Sequence, residues 1–304
     1  MTAPDFGGLC RPMRHPLFLP LALLALPAFA QPSTPPSLRI DSEASYSYSS
    51  DEAFDHAGTP GSVAVHHFDF NALARHHLSA SDSVTFGFSA AITRLDASAG
   101  AFLPERLQAF ALHLSGSRRL SEQWTATLTL RPGLYGDLED IDSKTFNIPL
   151  LAAASYAVSR DLVWLFGLRV DAYAEHPAIP LAGVRWRFAP AWSLNLTYPR
   201  AGVQWRASDA VNFDASASVQ GGTFRITESL GIPPTLTTGR IANTFLDYRE
   251  IRLGLGGDFA VAPNLWLRID AGIFVDREFD YFDRHYTLET DRGTFATVAL
   301  RSRF

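Results

Sequence analysis

The chain reads as all-β, a transmembrane up-and-down antiparallel barrel of about fourteen strands, with twelve as the alternative. Three observations predict this. Apolar and polar residues alternate over runs as long as a tilted strand needs to cross a bilayer. Short and long connections take turns along the chain. No stretch of about 18 apolar residues follows residue 30, so helical spans are absent.

The alternation has period 2, the repeat of a strand with two different faces. Val84, Phe86, Phe88, Ala90 and Ile92 alternate with Thr85, Gly87, Ser89, Ala91 and Thr93. Trp124, Ala126, Leu128 and Leu130 alternate with Thr125, Thr127, Thr129 and Arg131. Leu162, Trp164, Phe166, Leu168 and Val170 stand against Gly167, Arg169 and Asp171. Leu265, Leu267, Ile269, Ala271, Ile273 and Val275 stand against Arg268, Asp270 and Gly272. A soluble sandwich also alternates, but its strands are shorter, about 5 to 6 residues. Trp124, Tyr156, Trp164, Trp186, Trp192 and Tyr198 lie near the expected strand ends, where interfacial aromatic girdles belong.

Short connections rich in Ser, Asp, Asn and Pro are expected at 79–82, 120–123, 159–161, 189–191, 207–209 and 262–264. Longer links are expected at 51–61, 95–104, 137–144, 175–180, 199–202, 228–242 and 277–292. Thirteen connections make fourteen strands and put both ends of the barrel chain on one side. The count falls to twelve if Trp192 to Ser208 is one irregular strand. The second strand, Val63 to Arg75, changes face near His66 and His67, which predicts a bulge there.

Ahead of the barrel, Met13 and Arg14 precede an apolar run from Leu17 to Leu26 and then Ala28-Phe29-Ala30, the pattern of a secretory signal cleaved before Gln31. Residues 1–30 are read as that signal with an upstream extension, 31–37 as a short periplasmic lead too small for a plug, and 38–304 as the barrel. The one cysteine, Cys10, falls in the leader, so the processed chain has no disulfide, thiolate metal site or cysteine nucleophile. The chain has 26 Lys and Arg against 31 Asp and Glu, and the leader takes two basic residues and one acidic. The remainder stays net negative, with no basic face for nucleic acid.

The last strand, Phe295 to Phe304, resembles the assembly signal of bacterial outer-membrane β-barrels, which implies recognition of Phe304 by the barrel assembly machinery. Arg131-Pro-Gly-Leu-Tyr-Gly-Asp137, Pro180 to Trp186 with Pro190 and Trp192, Leu196 to Arg200, and Gly221-Gly-Thr-Phe224 carry a second likeness. From about Leu130 to Tyr281 the chain resembles an uncharacterised family of bacterial outer-membrane β-barrel proteins, a domain of unknown function. That resemblance implies fold and location in the bacterial outer membrane, among its lipids; it brings no catalytic residues.

Little in the sequence suggests chemistry. His66-His67 and His76-His77 are adjacent pairs that point to opposite faces of a strand and cannot share a metal. No metal or cofactor is expected. The acidic run Asp137 to Asp142 lacks the glycine and spacing of a calcium loop and reads as a solvated external link. Some outer-membrane barrels are Ser/His lipid hydrolases; no such motif stands out, and the chain is read as a non-enzyme.

The lumen is the better candidate. The face opposite the lipid rows carries Arg131, Arg169, Arg185, Arg187 and Arg268, with Asp171 and Asp270 as the nearest acids. Charge facing lipid would cost about 2 to 4 kcal/mol at the midplane, which keeps these inward. They are candidate pore-lining residues, with a row of Arg–Asp bridges that only stiffens the wall as the alternative. The expected function is a small diffusion pore or substrate-specific channel for a polar or anionic solute, with an anion preference. A lipid-active enzyme and a closed structural or adhesive barrel stay as alternatives.

Overall fold

The computed structural model describes residues 38–56, 59–98, 100–233 and 240–304. The expected signal at 1–30, the lead at 31–37 and the cleavage before Gln31 lie outside the described residues. Fourteen strands follow one another: β1 (Leu38–His56), β2 (Thr59–His77), β3 (Asp82–Ala97), β4 (Arg106–Arg119), β5 (Trp124–Leu130, resuming at Gly133–Gly136), β6 (Phe146–Asn147, resuming at Leu150–Ala157) and β7 (Leu162–Val170). Then come β8 (Ala178–Ala189), β9 (Trp192–Leu196), β10 (Arg200–Arg206), β11 (Val211–Ile226), β12 (Thr244–Ala262), β13 (Leu265–Tyr281) and β14 (Tyr286–Glu289, resuming at Gly293–Arg303). Each pairs antiparallel with its neighbours, and β14 closes on β1 from Asp41 opposite Arg303 to Ser49 opposite Phe295. Closure leaves no sheet edge at the seam. Fourteen is the number expected, and Trp192 to Arg206 is two strands.

The six short turns fall where the turn residues put them, and they share an end with Leu38 and Phe304. The other end is less uniform than expected. β1 runs to His56 and β2 begins at Thr59, while Thr197 to Pro199 alone separate β9 from β10. The β1–β2 strands project far enough to absorb most of the long link expected at 51–61.

The alternation sorts as expected in the middle and at the short-turn end. Phe86, Phe88, Leu128, Trp164, Phe166, Leu168, Leu255, Ile269 and Val298 are exposed on the outer face. Trp186, Phe188, Trp192, Trp205, Phe213 and Phe259 form a chain of ring contacts around the short-turn end, and Trp124 meets Tyr156 beside them. Such a belt marks one edge of an apolar band.

The expected bulge at His66-His67 is absent: β2 pairs with β3 without interruption from Val63 opposite Ala97 to His77 opposite Ser83. The register shift lies on β1, between Ser49 and Glu52. Val63 and Val65 point inward because the lumen itself changes character. At the long-loop end Phe54, Val63, Val65, Leu95, Leu107, Phe224, Ile226, Leu246, Tyr248, Phe279, Tyr281, Tyr286 and Leu288 form one buried cluster with Ala101 and Ile241 from the links.

Those residues come from β1 to β4 and β11 to β14, and none from β6 to β10. The pairing explains the division. Gly136 at the end of β5 bridges Arg225 of β11, and the Asp137 N–H donates to the Arg225 carbonyl at 3.0 Å. The wall therefore pinches together across its own mouth, and β1 to β5 with β11 to β14 continue as a narrower ring filled by apolar side chains. Each fully buried Leu, Ile or Phe contributes about 1.5–3 kcal/mol by leaving water. Gly221 sits where β11 leaves the wall: its φ is +130°, and a Cβ would run into the Tyr248 carbonyl oxygen.

Candidate functional site: a lumen cavity between two plugs

Beneath the apolar plug lies a cavity of about 730 Å³. Four arginines line it, Arg131, Arg169, Arg200 and Arg252, against four carboxylates, Glu43, Asp69, Asp171 and Asp270. A second hollow of about 580 Å³ opens toward the short-turn end among Arg39, Asp41, Arg75, Arg301 and Arg303.

The cavity roof is ionic beneath its apolar cap. Glu250 is fully buried and accepts from Arg252 Nε at 2.5 Å, Arg277 Nε at 2.6 Å and Ser49 Oγ at 2.9 Å. Arg252 also donates to Ser47 Oγ at 2.8 Å and lies over the Phe295 ring at 4.8 Å. Arg277 donates to the Val63 carbonyl at 2.9 Å and stacks on Phe274 at 3.8 Å.

The floor is a second network. Arg268 donates to Asp258 at 2.7 Å and Asp214 at 2.7 Å, and holds both oxygens of Asp270 at 2.7 and 2.6 Å. Arg200 spans Asp214 and Asp270, each at 2.7 Å. Arg301 continues the network to Glu43 at 2.6 Å and Asp258 at 3.2 Å. Three guanidinium groups thus meet four carboxylates, each member with an ionic partner within 3.2 Å and one negative charge in excess.

The residues expected to line a pore divide three ways. Arg131, Arg169, Asp171 and Asp270 line the cavity. Arg268 is buried in the floor behind Asp270. Arg185 and Arg187 lie lower on the inner face: Arg169 pairs with Ile179 of β8, whereas Arg185 is six residues further down, opposite Val163. Arg187 is bound to Asp161 in the turn, Nε to Oδ1 at 2.7 Å. Arg169 reaches Asp171 at 3.4 Å, and Arg131 donates to Ser89 Oγ at 3.2 Å with no carboxylate partner among the described residues. Glu43, Arg200, Asp214, Glu250, Arg252, Asp258, Arg277 and Arg301 join the site beyond the residues the sequence points to. Inward parity on β11 and β12 would have found Asp214, Arg252 and Asp258.

Asp137 to Asp142 is neither a calcium loop nor freely solvated. Asp137 is buried and accepts from the Thr227 N–H at 2.7 Å, Thr227 Oγ1 at 2.7 Å and the Glu228 N–H at 2.8 Å. Asp142 accepts from Arg225 at 3.0 and 2.7 Å and from the Lys144 N–H at 2.8 Å. Burial alone would raise the Asp142 pKa, but the Arg225 bonds, the Lys144 N–H and the Arg225 charge outweigh it and hold the carboxyl below its ordinary 3.8. The carboxylate's contribution is therefore complete above about pH 4 and is lost as pH falls through that lower value. Hydrogen exchange in residues 137–145 is expected to stay flat from pH 7 to about 4, after correction for intrinsic rates, and to accelerate below. Asp142→Asn should remove that step; a step unchanged in the variant would assign it elsewhere.

No group of His, Cys, Asp and Glu that could hold a metal occurs among the described residues. His66 points outward to Tyr46 at 2.8 Å, and His67 inward to Thr93 at 2.6 Å.

A model of the domain of unknown function DUF6268 matches residues 78–288. The chain belongs to that family. The family match begins well before Leu130, where the sequence resemblance begins. The fold is similar to the COG4313 outer membrane channel from Pseudomonas putida F1, at 11% identity over 91% of this chain and 100% of that one, with a TM-score of 0.50. A Pseudomonas aeruginosa FadL homologue is 10% identical over 88% of this chain and 90% of its own, with a TM-score of 0.46. No curated protein sequence matches the chain. The DUF6268 chain thus has the fold of an outer-membrane-type β-barrel.

Proposed function

We propose that this DUF6268 protein is a substrate-specific channel of the bacterial outer membrane, with its short turns in the periplasm and its long links outside. The cavity between an apolar cap and an ionic floor carries this reading. An open diffusion pore has a continuous aqueous lumen, whereas here the wall pinches at one end and seven interlocked charged groups stand at the other. A solute would pass by local rearrangement of these contacts.

The cavity's four arginines and four carboxylates balance, so we propose only a modest anion preference, arising from Arg131 and Arg185, which have no carboxylate partner among the described residues. Purified protein in a planar bilayer is expected to give small, infrequent conductance steps, and Arg185→Glu with Arg187→Glu to weaken any preference for anions. Large, steady steps would identify an open pore. Silence from folded protein together with no solute uptake would support a closed structural barrel, and lipid turnover an enzyme.

Assembly through the last strand is the second part of the proposal. Phe304 is half exposed on the outer face and exchanges two backbone hydrogen bonds with Ile40, both 2.8 Å. Deleting Phe304 is expected to reduce the folded, heat-modifiable fraction in cells while purified chain still refolds in detergent. Equal loss in both settings would make the residue a seal of the seam rather than a signal to the assembly machinery.

A further inference from the structure

We infer that the cavity opens sideways into the lipid, through a notch in the wall between β8, the β9–β10 turn and β11, and that it admits a small amphiphile with an anionic head and an apolar body. The inference deepens the channel reading by naming a route and a solute class. Three observations on the wall support it.

The notch follows from strand length. β9 reaches only as far as Leu196, opposite Val184, so Ala178 to Gly183 of β8 pair with β7 alone. β10 begins only at Arg200, opposite Ser218, and the Val219 N–H donates to the Pro199 carbonyl at 2.9 Å. Above that point, Gln220 to Phe224 of β11 pair with β12 alone until Arg225 meets Gly136. Two strand edges therefore face each other above a three-residue turn.

The cavity reaches this gap. Three consecutive residues of the closed strands β2 and β3, Asp69 to Asn71 and Ser89 to Ala91, line the cavity, whereas on β11 the run extends over all seven residues from Ser218 to Phe224 and continues across the gap to Leu181, Tyr198 and Pro199. Both faces of β11 border the same space.

Depth places the gap in the apolar band. Trp192 and Trp205 belong to the aromatic belt and pair with each other. Leu196 lies four residues above Trp192, about 13 Å along the strand and roughly 10 Å along the axis at a tilt near 40°. The band is about 25 Å tall. The β9–β10 turn thus falls within the band, and open strand edges are tolerated there only where they line a hydrated cavity.

The chemistry selects the occupant. Leu181, Tyr198, Pro199 and Val219 make an apolar rim, and Gly221 and Gly222 add no side chain to it. Arg131 stands inside without a carboxylate, ready for an anionic head.

The test uses the full-length barrel with Cys10 absent from the processed chain, carrying bimane at Gln220→Cys in nanodiscs whose lipids bear acyl-chain nitroxides. Ser89→Cys, on the opposite cavity wall, and Phe166→Cys, on the lipid face, are the references, each verified as folded by heat modifiability. Quenching at 220 is expected to be several times that at 89 and to approach that at 166. Quenching at 220 no greater than at 89 would overturn the side opening.

Octanoate is then expected to reduce quenching at 220, while octanol and acetate do not, and Arg131→Gln should abolish the effect of octanoate. Protection by octanol would overturn the anionic head, and protection by acetate the apolar body. Quenching reports the opening whether or not anything is transported. A quenched but non-conducting, non-transporting barrel would refute the channel reading alone.

Discussion

Replacing Glu250 by Ala is expected to destabilise the folded barrel by about 3–5 kcal/mol, the usual loss when one partner of a buried ion pair is removed. The carboxylate is fully buried and is shared by Arg252 and Arg277, themselves almost wholly buried. Without it, Arg277 retains two backbone carbonyls and the face of Phe274, and its Nη2 has no hydrogen-bond partner even in the intact network. Two positive charges would then stand under the apolar cap with no counter-charge between them. A urea titration followed by the heat-modifiable band measures the loss. Glu250→Gln keeps the shape and one acceptor and should fall between wild type and Glu250→Ala. A change below about 1 kcal/mol, the range of exposed pairs, would show that water reaches the network.

Replacing Arg268 by Ala should change ion preference more than any other single lumen substitution. Among the described residues, Arg268 is the one cation in contact with all three of Asp214, Asp258 and Asp270. Its removal leaves Arg200 and Arg301 against four carboxylates, and it widens the floor between the two hollows. An added potential of about one kT changes relative ion concentration roughly threefold in a confined passage. Reversal potentials should therefore move toward cations by about that factor, with larger conductance steps. Arg268→Lys keeps the charge but loses the fork that spans three carboxylates; it should preserve ion preference while lowering stability. An Arg268→Ala protein with unchanged reversal potential would exclude the floor from the ion path.

Much of the wall was legible because a strand in lipid has only two environments. Leu162, Trp164, Phe166 and Leu168 could be assigned outward, and Arg169 inward, from alternation alone, since the wrong parity places charge in hydrocarbon. Turn chemistry located the short connections for a similarly local reason. Parity failed at Val63 and Val65, where it assumed a polar lumen. Those residues face inward as strictly as Arg131 does, but against other apolar side chains rather than water, and a two-letter pattern cannot distinguish an apolar residue facing lipid from one facing a packed plug.

The candidate site was legible in its members more than in its grouping. Arg169 and Arg185 sit on adjacent strands and share a face, yet strand stagger sets them at different heights, and height is a property of pairing. Arg268 was recognised as inward, while its three carboxylates come from β11, β12 and its own strand, 54, 10 and 2 residues away in sequence. By itself the sequence determined the fold class, a count of about fourteen strands and which face each clear strand presents, because these depend on local periodicity and turn residues; that Trp192 to Arg206 is two strands was settled by their pairing. The pinch from Gly136 to Arg225, the plug beneath it, the ion-paired floor and the notch above Pro199 were decided by tertiary structure, because each depends on which distant strands meet and how far each one rises.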